Sequence, residues 1–147
     1  MQTVSSGTYL STQIWMRDAT MNEQVILRGV SALEYLQLFV GYLGVNELDV
    51  YALSVGMYEN INYHIVDNFG AIDFINDGYL LCSTVNQAVN DLLADFENTD
   101  EEALANALSN YYHRNNESFS GLYIRPENAK YFDYVREWAV NYYNDSF

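Results

Sequence analysis

Cys82, His64 and His113 are the only thiol and the only imidazoles in the chain, so they are the first places to look for nucleophilic, acid–base or metal chemistry. Cys82 lies in the run Tyr79-Leu80-Leu81-Cys82-Ser83, which reads as a buried strand. A thiol there behaves as a small hydrophobe with a raised pKa, not as a nucleophile. His64 falls in a strand-like segment and His113 at a helix end, neither at a metal-ligand spacing from the other or from Cys82. In Gly29-Val30-Ser31-Ala32-Leu33 the second glycine of a nucleophile elbow is replaced by Leu33, and a helix-capping role accounts for Ser31. The stretch from Asp73 to Thr84 contains the Asp77-Gly78 of a calcium loop, but Ile75 takes a ligand position and Thr84 stands where the bidentate glutamate belongs. No glycine-rich phosphate loop occurs, and the sequons at Asn116 and Asn144 come without a secretory context. These residues argue against an enzyme, and they predict no catalytic, metal-ligating or cofactor-binding side chain.

Charge is the more informative property. The chain carries 20 acidic and 6 basic residues, a formal net charge of −14. From Gly29 through His113 there is no Lys or Arg, while that segment holds 13 carboxylates. Nucleic-acid binding draws much of its affinity from cations that displace counterions on the phosphates, so no direct binding of DNA or RNA is expected, and none of anionic membrane surfaces. The competing role for this acidity is plain solubility. With 147 residues, half of them apolar, the chain is expected to form a single globular domain able to bury a core without staples. One cysteine, no leader pattern and no long apolar run predict a cytoplasmic protein that does not span a membrane.

The elements that must carry these residues follow from periodicity. Residues 8–14 alternate apolar and polar side chains and predict a short edge strand. Ser31 and Glu34 have capping-box spacing, so a helix is expected from Ser31, closed by Gly41 and Gly44. Short β-prone runs at 48–54, 62–67, 71–75 and 78–82 predict a small sheet, with Asp77-Gly78 as a hairpin turn. Thr84 and Gln87 cap a helix whose face is Val85, Ala88, Val89, Leu92, Leu93 and Phe96. Thr99 and Glu102 cap a second one, antiparallel to the first, with Asp100, Glu101 and Glu102 in its first turn, where the helix dipole favours acids. Pro126 opens a final helix with a stripe of Ala129, Phe132, Val135, Ala139, Val140 and Tyr143. The expected class is α+β: a small mixed or antiparallel sheet packed with about four helices, the C-terminal half mainly helical.

Two groups of residues exceed what folding requires. Tyr131, Tyr134, Trp138 and Tyr142 form a second line on the final helix, one residue away from the core stripe, and rings of this kind are enriched in interfaces. The plainer role for that line is a wide core-facing surface. Asp95, Glu97, Asp100, Glu101 and Glu102 place five acids within eight residues at the junction of two helices. These nine residues are the candidate partner-binding set, and self-association stays open.

The succession Gly7-Thr8-Tyr9-Leu10, then Ile26 through Leu33 opening a helix, then Val50-Tyr51-Ala52, then Leu80-Leu81-Cys82-Ser83 running into Val85 to Leu93, resembles the effector domain of AbiEi-type antitoxins of type IV toxin–antitoxin systems. The resemblance implies a domain that opposes a nucleotidyltransferase toxin. That family's winged helix-turn-helix would precede residue 1, so the repressor role is not implied. Small size, strong acidity and 14 tyrosines are also similar to phage anti-CRISPR and other DNA-mimic inhibitors. The expected function is therefore a non-catalytic acidic inhibitor of a basic, nucleic-acid-binding protein. The alternative is a free-standing antitoxin-like domain that neutralises a toxin enzyme.

Overall fold

The computed structural model describes residues 11–41 and 47–145, with side chains in the last helix through residue 141. The elements are α1 (Thr12–Thr20), β1 (Val25–Leu27), α2 (Gly29–Tyr35), β2 (Leu48–Ala52), β3 (Ile61–Ile65), β4 (Phe74–Asn76), β5 (Leu81–Ser83), α3 (Val85–Ala94), α4 (Glu101–Arg114) and α5 (Ala129–Asp145). Short 3-10 turns at Phe96–Asn98 and Pro126–Asn128 precede α4 and α5. The five strands form one mixed sheet in the order β3-β2-β1-β5-β4. β1 pairs antiparallel with β2 and parallel with β5, β2 pairs parallel with β3, and β4–β5 is an antiparallel hairpin. The class is α+β.

β1 has the run Val-Ile-Leu with every side chain buried, the pattern of a strand covered on both faces. β2 alternates, with Leu48, Val50 and Ala52 in the core and Asp49 and Tyr51 on the other face. The parallel neighbours β1 and β5 each pass into a helix through one residue, Arg28 before α2 and Thr84 before α3, and the two helices pack on each other. Gly29 makes the first of these turns at φ +54°, where a Cβ would stand 3.3 Å from Leu92 Cδ2.

Several elements depart from what the sequence predicts. The predicted strand at 8–14 is helical from Thr12 onward, with the Ser11 hydroxyl capping Ile14 N, while residues 8–10 lie outside the described residues. The alternation misled because Ile14 is 46% exposed; the buried set is Trp15, Met16, Ala19 and Thr20, at helical spacing. With it the described residues carry five helices, in keeping with the expected α+β class. The helix expected from Ser31 begins at Gly29 and ends at Tyr35, well before Gly41, with Gln37 in the left-handed region at φ 65°; Gly44 lies outside the described residues. Ser31 caps nothing: its hydroxyl accepts from Asp49 N across to β2.

Thr84 does cap α3, but Gln87 turns away from the cap, accepting from Asp73 N and donating to Asp91. Asp100, one residue after the expected Thr99, caps α4. α4 packs chiefly against α5. In the α5 stripe Val135 and Ala139 are fully buried, whereas Ala129 faces solvent and the Tyr143 side chain lies outside those described. The Asp77-Gly78 hairpin turn is present, with Gly78 at φ +91° and Asp77 Oδ1 accepting from Tyr79 N and Leu80 N.

Two polar devices fasten the periphery. The Arg17 guanidinium of α1 lies 4.1 Å from the Tyr79 ring centroid and donates to Tyr35 Oη, which in turn donates to Asp77, tying α1 and α2 to the hairpin. Asn90, 2% exposed within α3, donates to Tyr123 O and accepts from Arg125 N and Asn128 Nδ2, and this positions the segment leading into α5.

Candidate functional site

The acidic junction is a short, well-braced corner. α3 ends on Asp95, the 3-10 turn Phe96–Asn98 follows, and Thr99 Oγ1 donates to Leu92 O at 2.7 Å and to Asp95 O at 2.9 Å. Asn98 Nδ2 holds Asp95 Oδ1 at 2.9 Å, and Asp100 Oδ1 accepts from Ala103 N at 3.1 Å. Asp95, Glu97, Asp100 and Glu102 are exposed and Glu101 is half-buried. Asp100 has a cap to account for it, and the first-turn position of Glu101 and Glu102 suits the helix dipole. Among the described residues Glu97, Glu101 and Glu102 make no ion pair.

Phe96 connects this corner to α5. Its ring stacks on Tyr131 with centroids 5.0 Å apart and meets Tyr134 edge-on at 5.9 Å. The sequence treats the acid group and the aromatic line as separate candidates, yet the fold makes them neighbours. Tyr134 is 64% exposed, and Trp138, one turn further along α5, is 37% exposed. Tyr131 is half-buried against the core, as the plainer role for that line expected, and the Lys130 ammonium lies 4.9 Å from its ring centroid. The Tyr142 side chain lies outside those described. Sequence reasoning placed Phe96 on the core face of α3 and missed its bridging part; the local signal is a large ring set between two acids, Asp95-Phe96-Glu97.

A second polar group, absent from the expectations, lies on the sheet face opposite Val50 and Ala52. Arg28 Nη1 is 3.1 Å from His64 Nε2, His64 Nε2 is 3.8 Å from Asp49 Oδ1, and Asn62 Nδ2 donates to Asp49 Oδ1. The register that sets Asp49 beside Asn62 and Tyr51 beside His64 brings them onto one face. The Arg28 guanidinium also stands 4.9 Å from the Tyr51 ring centroid, and Tyr51 Oη donates to Asp91 Oδ2 at 2.6 Å. Burial and the adjacent Arg28 charge hold the His64 pKa below its ordinary value, while burial and the Asp91 hydrogen bond push Tyr51 up.

Cys82 is buried as expected, with its sulfur 3.3 Å from Ser83 O, and burial pushes the thiol up to about 12. A thiol held there stays protonated and unreactive near neutral pH. Among the described residues no group of three or more His, Cys, Asp or Glu is arranged to hold a metal, and no helix is long and apolar enough to cross a membrane.

Comparison with known proteins returns no matching family model, no matching curated protein and no matching solved structure.

Proposed function

We propose that this chain is a non-catalytic, acidic protein-binding inhibitor that occupies the basic site of a nucleic-acid-binding protein, in the manner of DNA-mimic and anti-CRISPR proteins. The observation that supports this reading best is the α3–α4 corner, where exposed carboxylates adjoin the exposed Tyr134 ring through Phe96. Carboxylates steer a basic partner at long range, and the rings supply area that buries on contact. Of the 13 carboxylates between Gly29 and His113, only Asp91 is buried. The field of that segment is therefore presented to solvent.

The test separates function from solubility by position. The wild-type chain is immobilised and challenged with a native-host lysate, and retained proteins are eluted with salt and, separately, with duplex DNA. A variant lacking three junction charges, Glu97→Gln with Glu101→Gln and Glu102→Gln, is compared with a control lacking three other exposed charges of the same segment, Glu47→Gln with Glu59→Gln and Asp67→Asn. The proposal expects a nucleic-acid-binding protein that duplex DNA releases, retained by the control and lost or slowed with the junction variant. Equal retention by both variants removes the junction from the interface. A nucleotidyltransferase held independently of salt supports the antitoxin alternative instead.

A further inference from the structure

We infer that the face formed by Phe96, Tyr131 and Tyr134 takes an arginine side chain of the basic partner in preference to a lysine; the inference rests on the proposed function and names the chemistry of its contact. The molecule shows twice what rings and carboxylates of this kind do with a guanidinium. Arg17 lies over Tyr79 and Tyr35, with Asp77 Oδ2 3.9 Å from its Nη2. Arg28 lies over Tyr51, whose hydroxyl is anchored by Asp91. In each case a flat cation covers a tyrosine ring while an aspartate holds the assembly from the side.

The junction has the same components. Tyr134 is the most exposed of its rings, and Glu97 is the next residue of the turn that carries Phe96. No arginine of this chain lies over Tyr131 or Tyr134 among the described contacts, and the one cation present is the Lys130 ammonium on Tyr131. A guanidinium stacks on a ring and forks onto a carboxylate at once, whereas an ammonium is a compact, strongly hydrated charge that does neither as well. Charge complementarity with a segment carrying 13 carboxylates and no Lys or Arg makes a basic segment the occupant.

The experiment uses two synthetic peptides of equal length and charge, one bearing arginines and the other lysines. Each is titrated into the full chain at low ionic strength, followed by calorimetry and by tryptophan emission, to which Trp15 and Trp138 both contribute. The arginine peptide is expected to bind roughly tenfold more tightly. Tyr134→Ala is expected to bring it down to the level of the lysine peptide while leaving the lysine affinity unchanged, with circular dichroism confirming an intact fold. Equal affinity of the two peptides for the wild-type chain, or an arginine preference that survives Tyr134→Ala, overturns the inference but leaves the anionic-surface reading in place. Failure of both peptides to bind overturns both.

Discussion

A guanidinium can only donate, so the contact with Arg28 obliges His64 Nε2 to accept and places the ring proton on Nδ1. Protonating the ring sets two positive groups against each other, relieved only in part by Asp49. Because the folded pKa lies below the unfolded one, stability is fully present above about pH 6.5 and falls as the pH drops toward the folded value. Wild-type melting temperature should therefore decline more steeply below about pH 6.5 than that of His64→Gln, and superimposable pH profiles refute the assignment. Cys82 supplies the opposite case, a reactive residue type made inert by its surroundings. Cys82→Ala should cost about 1 kcal/mol in chemical denaturation and leave partner binding intact. Loss of binding in an equally stable variant would return the thiol to consideration.

Between elements, side-chain amides do work that hydrophobic patterning does not reveal. Asn90→Ala strands Arg125 N and Tyr123 O in a part-buried setting, while Asn128 Nδ2 keeps its bond to the Asn90 backbone oxygen, and each orphaned group is worth about 1–3 kcal/mol. The variant should unfold at markedly lower denaturant than Asn98→Ala, whose exposed bond to Asp95 contributes little. Neither Asn90 nor Asn128 was legible, since a buried polar residue breaks the apolar pattern by which helix faces are recognised.

The α3 face from Val85 to Leu93 was legible because Val85, Ala88, Val89, Leu92 and Leu93 repeat strictly at helical spacing along the helix. β1 was not, being three residues long and too brief to display any period. The helix starts show how local chemistry competes. Thr99, Asp100 and Ser31 are all good caps by type, but Thr99 is engaged by Leu92 O in the preceding helix and Ser31 by Asp49 N across to β2, which leaves Asp100 to cap α4. Both halves of the candidate surface could be read from residue types, but their meeting depends on Phe96 reaching α5, a contact between distant segments that no local pattern encodes.

For the molecule as a whole, charge sets the expectation. The purified chain should shift no DNA band at about 150 mM salt, and a shift that survives there contradicts the electrostatic reading. The sheet topology bears on something else, the order in which the protein can assemble. β1 stands in the centre of the sheet, and β2 covers one of its edges soon after in the chain, but the other edge belongs to β5 at Leu81–Ser83. During synthesis the most apolar strand of the sheet therefore waits, half-zipped, until the ribosome has delivered the hairpin that closes it. Over that interval its bare backbone edge is open to a neighbouring nascent chain. Folding should consequently be slow for a protein of this size, since the contact that completes the sheet spans more than a third of the sequence.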